Sequence, residues 1–403
     1  MSEWKKVKLG ELYEVHNGLS KGRQFFGTGF PFLTFSNVFN NWFLPDRLES
    51  LVQTTDKERE ACSIKAGDVF ITRTSETMDE LGMSSVALKD YPNATYNGFT
   101  KRLRPTTNRV SPRYIGYYLR TPKFRGQFMA FSTMTTRASL ANNDLLNMEV
   151  ELPSMETQHR IANILFRYDS LIKNYQKQIK LLEEAAQRLY KEWFVDFRFP
   201  GHENTKIVDG VPEGWERKKV NSIIELQSGF AFKSSTFDDN GTYKIVTIKN
   251  VKEGAFDGDN VSRIVAIPEK MPKHCVLADG DILLSLTGNV GRVCIVNGKN
   301  YLLNQRVAKL ATDYKAFAYC LFRSRDMFIE VNNLANGAAQ QNVSPIRIGE
   351  MKILLPNNEL LQEFESIARK SIARIISLQS QHRLLTEARD RLLPKLMNGE
   401  IKV

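Results

Sequence analysis

The chain of 403 residues carries 56 Lys and Arg against 45 Asp and Glu, a net charge of +11, with a pI near 9.3. Its 42% hydrophobic and 25% charged residues are those of a globular protein, and no apolar run approaches the ~20 residues of a membrane span. The positive excess is the footprint of a protein that lies on a polyanion, because each neutralised phosphate releases condensed counterions; a basic surface kept for solubility is the plainer alternative, and charge alone does not separate the two.

The N-terminus, MSEWKKVKLGELYEV, alternates charged with apolar residues and has no continuous apolar core, so no secretory leader is expected and the predicted location is cytoplasmic. A first domain is predicted over residues 1–152. Short apolar runs such as VFITRTS (69–75) suit strands between turns, and PRYIGYYLR (112–120) suits a helix, which gives a mixed α+β class. The four cysteines, Cys62, Cys275, Cys294 and Cys320, lie far apart without a C-x-x-C pair and are expected to be core thiols.

After Met148-Glu149-Val150-Glu151-Leu152-Pro153 a helical region is predicted over 153–200. Apolar residues recur there in strict 4-3 spacing at Ile161, Leu165, Tyr168, Ile172, Tyr175, Ile179, Leu182, Ala186, Leu189 and Trp193. That is a coiled-coil seam of about thirty residues.

The next segments repeat the first two. A second domain is predicted over 201–355, in which Trp215 to Val220 echoes Trp4 to Val7, Gly229 echoes Gly18, and Asn250-Val251 echoes Asn37-Val38. Asp279-Gly280-Asp281-Ile282-Leu283 likewise echoes Ala66-Gly67-Asp68-Val69-Phe70. YKIVTIKNV (243–251) and DILLSLTG (281–288) read as strands, and YKAFAYCLFRS (314–324) as a helix. Met351-Lys352-Ile353-Leu354-Leu355-Pro356 then opens a second helical region over 356–403, in which LLTEARDRL copies LLEEAAQRL (181–189). Its seam is Phe364, Ala368, Ser371, Ile375, Leu378, His382, Leu385, Arg389, Leu392 and Leu396, weakened at Ser371, His382 and Arg389, with Pro394 as the expected stop. Each helix should be on the order of 50 Å long at roughly 1.5 Å per residue.

A lone helix with an apolar stripe is marginal in water, so the two seams are expected to pair with each other. The first leaves domain one and the second starts at domain two, so the pairing should be antiparallel. The expected architecture is two similar domains separated by two long antiparallel coiled-coil helices, related by a pseudo-two-fold repeat. Two similar basic modules at a fixed separation suit a reader of a two-part DNA site.

No catalytic constellation is found. Phe25-Phe26-Gly27-Thr28-Gly29 matches the F-x-G-x-G loop of adenosylmethionine-dependent methyltransferases, but Pro31 follows at once and no N-P-P or D-P-P occurs. Pro45-Asp46 lacks the D-x-K or E-x-K that would complete a magnesium nuclease centre, no phosphate-binding G-x-x-x-x-G-K-[ST] loop exists, and the five histidines (16, 159, 202, 274 and 382) are scattered.

The accumulated residues resemble the specificity subunit of type I restriction-modification systems, the HsdS family. The resemblance covers the whole chain. Its most specific parts are Leu152-Pro153 through Gln158, Ile161, Leu165, Asp169 and Ile172; then Tyr190-Lys191-Glu192-Trp193-Phe194-Val195-Asp196-Phe197; and Leu392 through Ile401. The second helix departs at its start, where Phe364 replaces the expected isoleucine and Ser371 stands near the expected aspartate. The resemblance implies two target recognition domains and a subunit with no catalysis and no cofactor of its own. It also implies double-stranded DNA as ligand, two modification subunits that dock on the helices and bring S-adenosylmethionine to methylate adenine in each half-site, and restriction subunits that use Mg and ATP. No membrane partner is implied.

Expected DNA-binding residues lie in turns after strands: Lys21, Arg23, Arg73, Thr74 and Ser75 in domain one, and Lys233, Ser234, Thr287, Asn289 and Arg292 in domain two. Arginine forks suit guanine edges and Asn or Gln suits adenine, while most contacts in such interfaces go to phosphates. Gly337-Ala338-Ala339-Gln340-Gln341-Asn342 reads as a polar turn or an adenine reader, and Asn304-Gln305-Arg306 as a structural stretch beside a strand. The rival readings are a fragment of a fused restriction enzyme, and a DNA-bridging or structural coiled-coil protein without a modification partner.

Overall fold

The computed structural model describes residues 4–75, 81–131, 138–259, 261–335 and 341–403. The chain divides into two compact units, Met1–Leu171 with Leu385–Val403, and Ile172–Leu384. Each contains one globular half and a stretch of both long helices.

In the first unit a four-stranded antiparallel sheet has the order Tyr13–Asn17, Thr100–Pro105, Val69–Thr72, Ser84–Val86. Val69, Phe70, Ile71 and Thr72 are all buried, as an inner strand covered on both faces requires. Lys5–Lys8 pairs with Glu149–Leu152, closing the ends of the half on each other. A three-stranded sheet joins Leu51–Val52, Phe26–Leu33 and Thr95–Tyr96. The F-x-G-x-G segment runs from the end of the 3-10 turn Arg23–Phe25 onto its long strand and opens no α-helix.

The second unit repeats this order with Glu225–Ser228, Val307–Ala311, Ile282–Ser285 and Val293–Ile295. The ribbon recurs as Glu216–Lys219 with Lys352–Leu355, and the other sheet as Ser262–Ile264, Tyr243–Val246, Tyr301–Leu303 and Val276–Leu277. Matching polar contacts fix the two copies. Asn37 Oδ1 accepts from the Thr34 N–H at 3.0 Å, and Asn250 Oδ1 from the Thr247 N–H at 2.8 Å. Asp68 Oδ2 accepts from the Lys65 N–H at 2.7 Å, and Asp281 Oδ2 from the Ala278 N–H at 2.9 Å. Buried carboxylates persist only when paired, and these also meet Arg104 at 2.7 Å and Lys309 at 2.9 Å.

The long helices span Met155–Tyr190, followed by a π turn at Lys191–Val195, and Asn358–Met397. Within each unit they pair antiparallel. In the first, Ile161, Ala162 and Leu165 share a core with Leu393, Leu396 and Met397, and Asp169 meets Arg389. In the second, Gln176 hydrogen-bonds His382, while the Trp193 ring lies 5.6 Å from that of Phe364. Of the seam residues, Ile161, Leu165, Ile172, Ala186, Trp193, Phe364, Ala368, Ile375, Leu378 and Leu396 are buried. Tyr168, Tyr175, Ile179, Leu182, Leu189, Ser371, Leu385 and Leu392 are half-buried. Ile372 is buried beside Ser371. Phe364, with no exposed surface, packs edge-on against Phe194 at 4.9 Å, a contact of the kind that stabilises by roughly 0.5–1.5 kcal/mol beyond burial.

Pro394 does not stop the second helix, which runs on to Met397. Proline removes a single N–H there, and its own carbonyl still accepts from the Asn398 N–H at 3.0 Å. The stop is Gly399, whose φ of +76° is the left-handed conformation of a helix end. The cysteines Cys62, Cys275, Cys294 and Cys320 are buried free thiols. No helix among the described residues is long and apolar enough to cross a membrane.

Candidate nucleic-acid interface

The candidate residues of the first unit fall on two loops. Lys21 and Arg23 precede and open the turn Arg23–Phe25. Lys21 is not free: its Nζ lies 2.6 Å from Glu58 Oε1 and 5.0 Å from the centre of the Phe25 ring. That ammonium, with the Thr55 N–H, holds the Glu58 carboxyl below its ordinary pKa. Arg23 is exposed, beside the exposed rings of Phe25 and Phe26.

Arg73 follows the inner strand. Its N–H donates to the Phe99 carbonyl at 3.0 Å, and its own carbonyl accepts from the Leu140 N–H at 3.2 Å. Its Nε is buried with no hydrogen-bond partner among the described residues. The Thr74–Ser75 backbone pairs with Ala138–Ser139, while the side chains of Thr74 and Ser75 lie outside the described residues.

The second unit carries the equivalent loops. Lys233 and Ser234 are exposed at the turn Ser234–Thr236. Thr287 is turned inward, its Oγ1 donating to Asn342 Oδ1 at 2.9 Å. That bond joins the loop to the segment before the helix Pro345–Gly349, as Thr74–Ser75 is joined to Ala138–Ser139. Asn289 is exposed at the tip, and Arg292 is half-buried. The loop is shaped by Ser285, whose hydroxyl donates to the Asn289 carbonyl and accepts from the Arg292 N–H at 3.0 Å. Gly288 and Gly291 sit at φ +71° and +84°, values that side chains with a Cβ rarely adopt.

Gly337, Ala338, Ala339 and Gln340 lie outside the described residues. Gln341 is exposed, and its carbonyl accepts from the Gly288 N–H at 2.9 Å. The Asn304-Gln305-Arg306 stretch is tied into the sheet: the Gln305 N–H donates to the Phe230 carbonyl at 3.0 Å, and Arg306 is exposed.

Sequence reasoning missed Lys101, Asn142 and Phe99. Lys101 sits on the Thr100–Pro105 strand directly across from Ile71, so its side chain shares a face with Arg73, two residues further on. The signal was faint: a lysine in TKRLRP becomes an inner residue only once its strand partner is known.

The sequence matches the family of the type I restriction modification DNA specificity domain over residues 1–184 and 212–381. It is 27% identical to the type I restriction enzyme MjaIX specificity subunit of Methanocaldococcus jannaschii, across 100% of this chain and 94% of that subunit. It is 29% identical to the MjaVIII specificity subunit of the same organism, across 72% of this chain and 70% of that one. The fold is that of the S subunit of a type I restriction-modification system from M. genitalium, with a TM-score of 0.62 at 15% identity over 98% of this chain and 96% of that chain.

Proposed function

We propose that this chain, which belongs to the family of type I restriction-modification DNA specificity subunits, reads a bipartite double-stranded DNA site with one unit per half-site. The observation that carries this reading is the pair of equivalent loops with unlike side chains. Arg73 in one unit stands where Leu286 stands in the other, each held by the same two backbone bonds, to Phe99 and Leu140 and to Arg306 and Val343. A shared frame with different side chains at the same point is what two readers of unlike half-sites need, because sequence is read by base edges while the frame is held on phosphates.

In this reading the chain is a non-catalytic scaffold. Two modification subunits dock on the paired helices and bring S-adenosylmethionine to an adenine in each half-site, and restriction subunits that use Mg and ATP join the same assembly. The chain itself holds no cofactor. The net charge of +11 supports a phosphate-tracking role.

The test is to co-express the chain with the modification subunit recovered with it from the native cell and to map methylated adenines. Methylation in two unlike half-sites at one fixed spacing is expected. Methyl transfer by the purified chain alone, a continuous target, or no modification partner in a pull-down from the native cell would overturn it, the last favouring a DNA-bridging protein.

A further inference from the structure

The two units differ in chemistry at the end of the central sheet. In the first unit Arg73, Phe99 and Lys101 share one face there: Ile71 pairs with Lys101, and the Arg73 N–H continues the ladder to Phe99. The helix Asn142–Asn147 lies against it, with the Lys101 ammonium hydrogen-bonded to Asn142 Oδ1. Lys101 is only 4% exposed, whereas the Phe99 ring is 55% exposed. In the second unit Leu284 pairs with Ala308, and the Leu286 N–H continues to Arg306. Leu286, Ala308 and Pro345 therefore stand where Arg73, Lys101 and Asn142 stand, and Leu286 and Ala308 are buried. Arg306, exposed, stands where Phe99 stands, so the first unit sets two cations beside a ring and its counterpart sets one exposed arginine beside two buried apolar side chains.

Two adjacent cations, one buried and one half-buried, repel each other, and a buried ammonium needs more than one neutral acceptor to offset its lost hydration. Burial first, and then the Arg73 guanidinium, push the Lys101 pKa down, while Asp144 opposes them. The Arg73 Nε has no hydrogen-bond partner among the described residues. Such an arrangement is stabilised when an acceptor-only, electron-rich group enters.

We propose that Arg73 is the contact residue, and Lys101 with Asn142 the positioning pair, of a pocket in the first unit that takes an acceptor-only group of DNA, a phosphate or the O6/N7 edge of a guanine, and that the second unit has no such pocket at the equivalent place. The inference rests on the DNA-reading function proposed above. It adds that the two half-sites are recognised by different chemistry at the same point of the fold.

The test uses the full chain and a library of randomised duplexes, with enrichment and salt dependence measured for the unaltered chain, Arg73→Met and Lys101→Met, each first checked by melting. Arg73→Met should weaken binding roughly 5- to 150-fold. If preference is lost at one base pair of one half-site, the group is a guanine edge. If affinity falls alike on all sequences and the salt slope drops by about one, it is a phosphate. Lys101→Met should reproduce the Arg73→Met pattern in weaker form; should it fail to fold, Arg73→Met carries the test alone. A folded Arg73→Met chain that keeps the affinity, base preferences and salt slope of the unaltered chain overturns the proposal. An unaltered chain that binds without sequence preference refutes the DNA-reading function instead, so the two failures are distinguishable.

Discussion

Arg389 of the second long helix donates through Nη1 to Asp169 Oδ1 of the first at 2.8 Å, and Asp169 Oδ2 accepts from the Tyr117 hydroxyl at 2.5 Å. Arg389, read as a weak point of the seam, is thus half of the polar fastener of the pair within the first unit, and Asp169 is the other half. Burial and the Asp169 carboxylate keep the Tyr117 hydroxyl well above its ordinary pKa, so it remains a donor. The two side chains are only 13% and 10% exposed, so removing one partner leaves a largely buried charge.

Arg389→Met or Asp169→Asn should therefore each destabilise the chain by roughly 3–5 kcal/mol, and the double variant by clearly less than the sum. Denaturant unfolding of the four proteins measures the coupling. Additive losses would show that the pair does not act as a unit.

Glycine is required at two equivalent crossings. A Cβ on Gly18 would lie 2.1 Å from the Asn97 carbonyl oxygen, and one on Gly229 would lie 2.2 Å from that of Asn304. Gly18→Ala and Gly229→Ala should each cost at least about 1–3 kcal/mol, because backbone on both sides must move. Unchanged melting of either variant would show that the crossing relaxes freely.

Glu365 accepts from the Ala316 and Phe317 N–H groups at 3.1 Å each, at the start of the helix Lys315–Arg323. Burial outweighs these bonds and raises its pKa above the ordinary carboxyl value. The folded chain thus binds this proton more tightly than the unfolded one, so the group's stabilising contribution is complete below the unfolded pKa of about 4.3 and is lost as pH rises through the raised folded value. The stability of the unaltered chain relative to Glu365→Gln should rise as pH falls from about 7 towards 4. A constant or shrinking difference in unfolding free energy refutes this.

Asn289 and Arg292 are presented by a loop whose shape comes from Ser285, Gly288 and Gly291 rather than from their own side chains. Arg292→Ala should weaken DNA binding by about 1–3 kcal/mol and relax preference in one half-site only. Duplex selection with the variant checks it, and an equal loss on every sequence assigns Arg292 to a phosphate.

If helix length sets the gap between half-sites, four residues inserted after Leu182 lengthen the first helix by about 6 Å, close to two steps of ~3.4 Å in DNA. Methylated-adenine mapping should then find the same two half-sites further apart, or no active assembly if the seam cannot re-register. Methylation at the original spacing would show that the helices do not set the gap.

The sequence by itself determined the duplication, the α+β halves and the heptad helices. These are written in local or periodic signals: Thr34 with Asn37 and Thr247 with Asn250 lie three residues apart, and the seam recurs every three or four. A helix or a turn needs only such short-range agreement. What only the tertiary structure decided is which polar groups remain available. Glu58 takes up Lys21 and Asn342 holds Thr287, whereas strand register brings Lys101 to the face of Arg73 and helix pairing brings Arg389 to Asp169. Each of these partners is distant in sequence and leaves no periodic trace. Pro394 shows the same limit from the other side: a local breaker yields when only one hydrogen bond is lost, and the chain turns instead at Gly399, where a positive φ is needed.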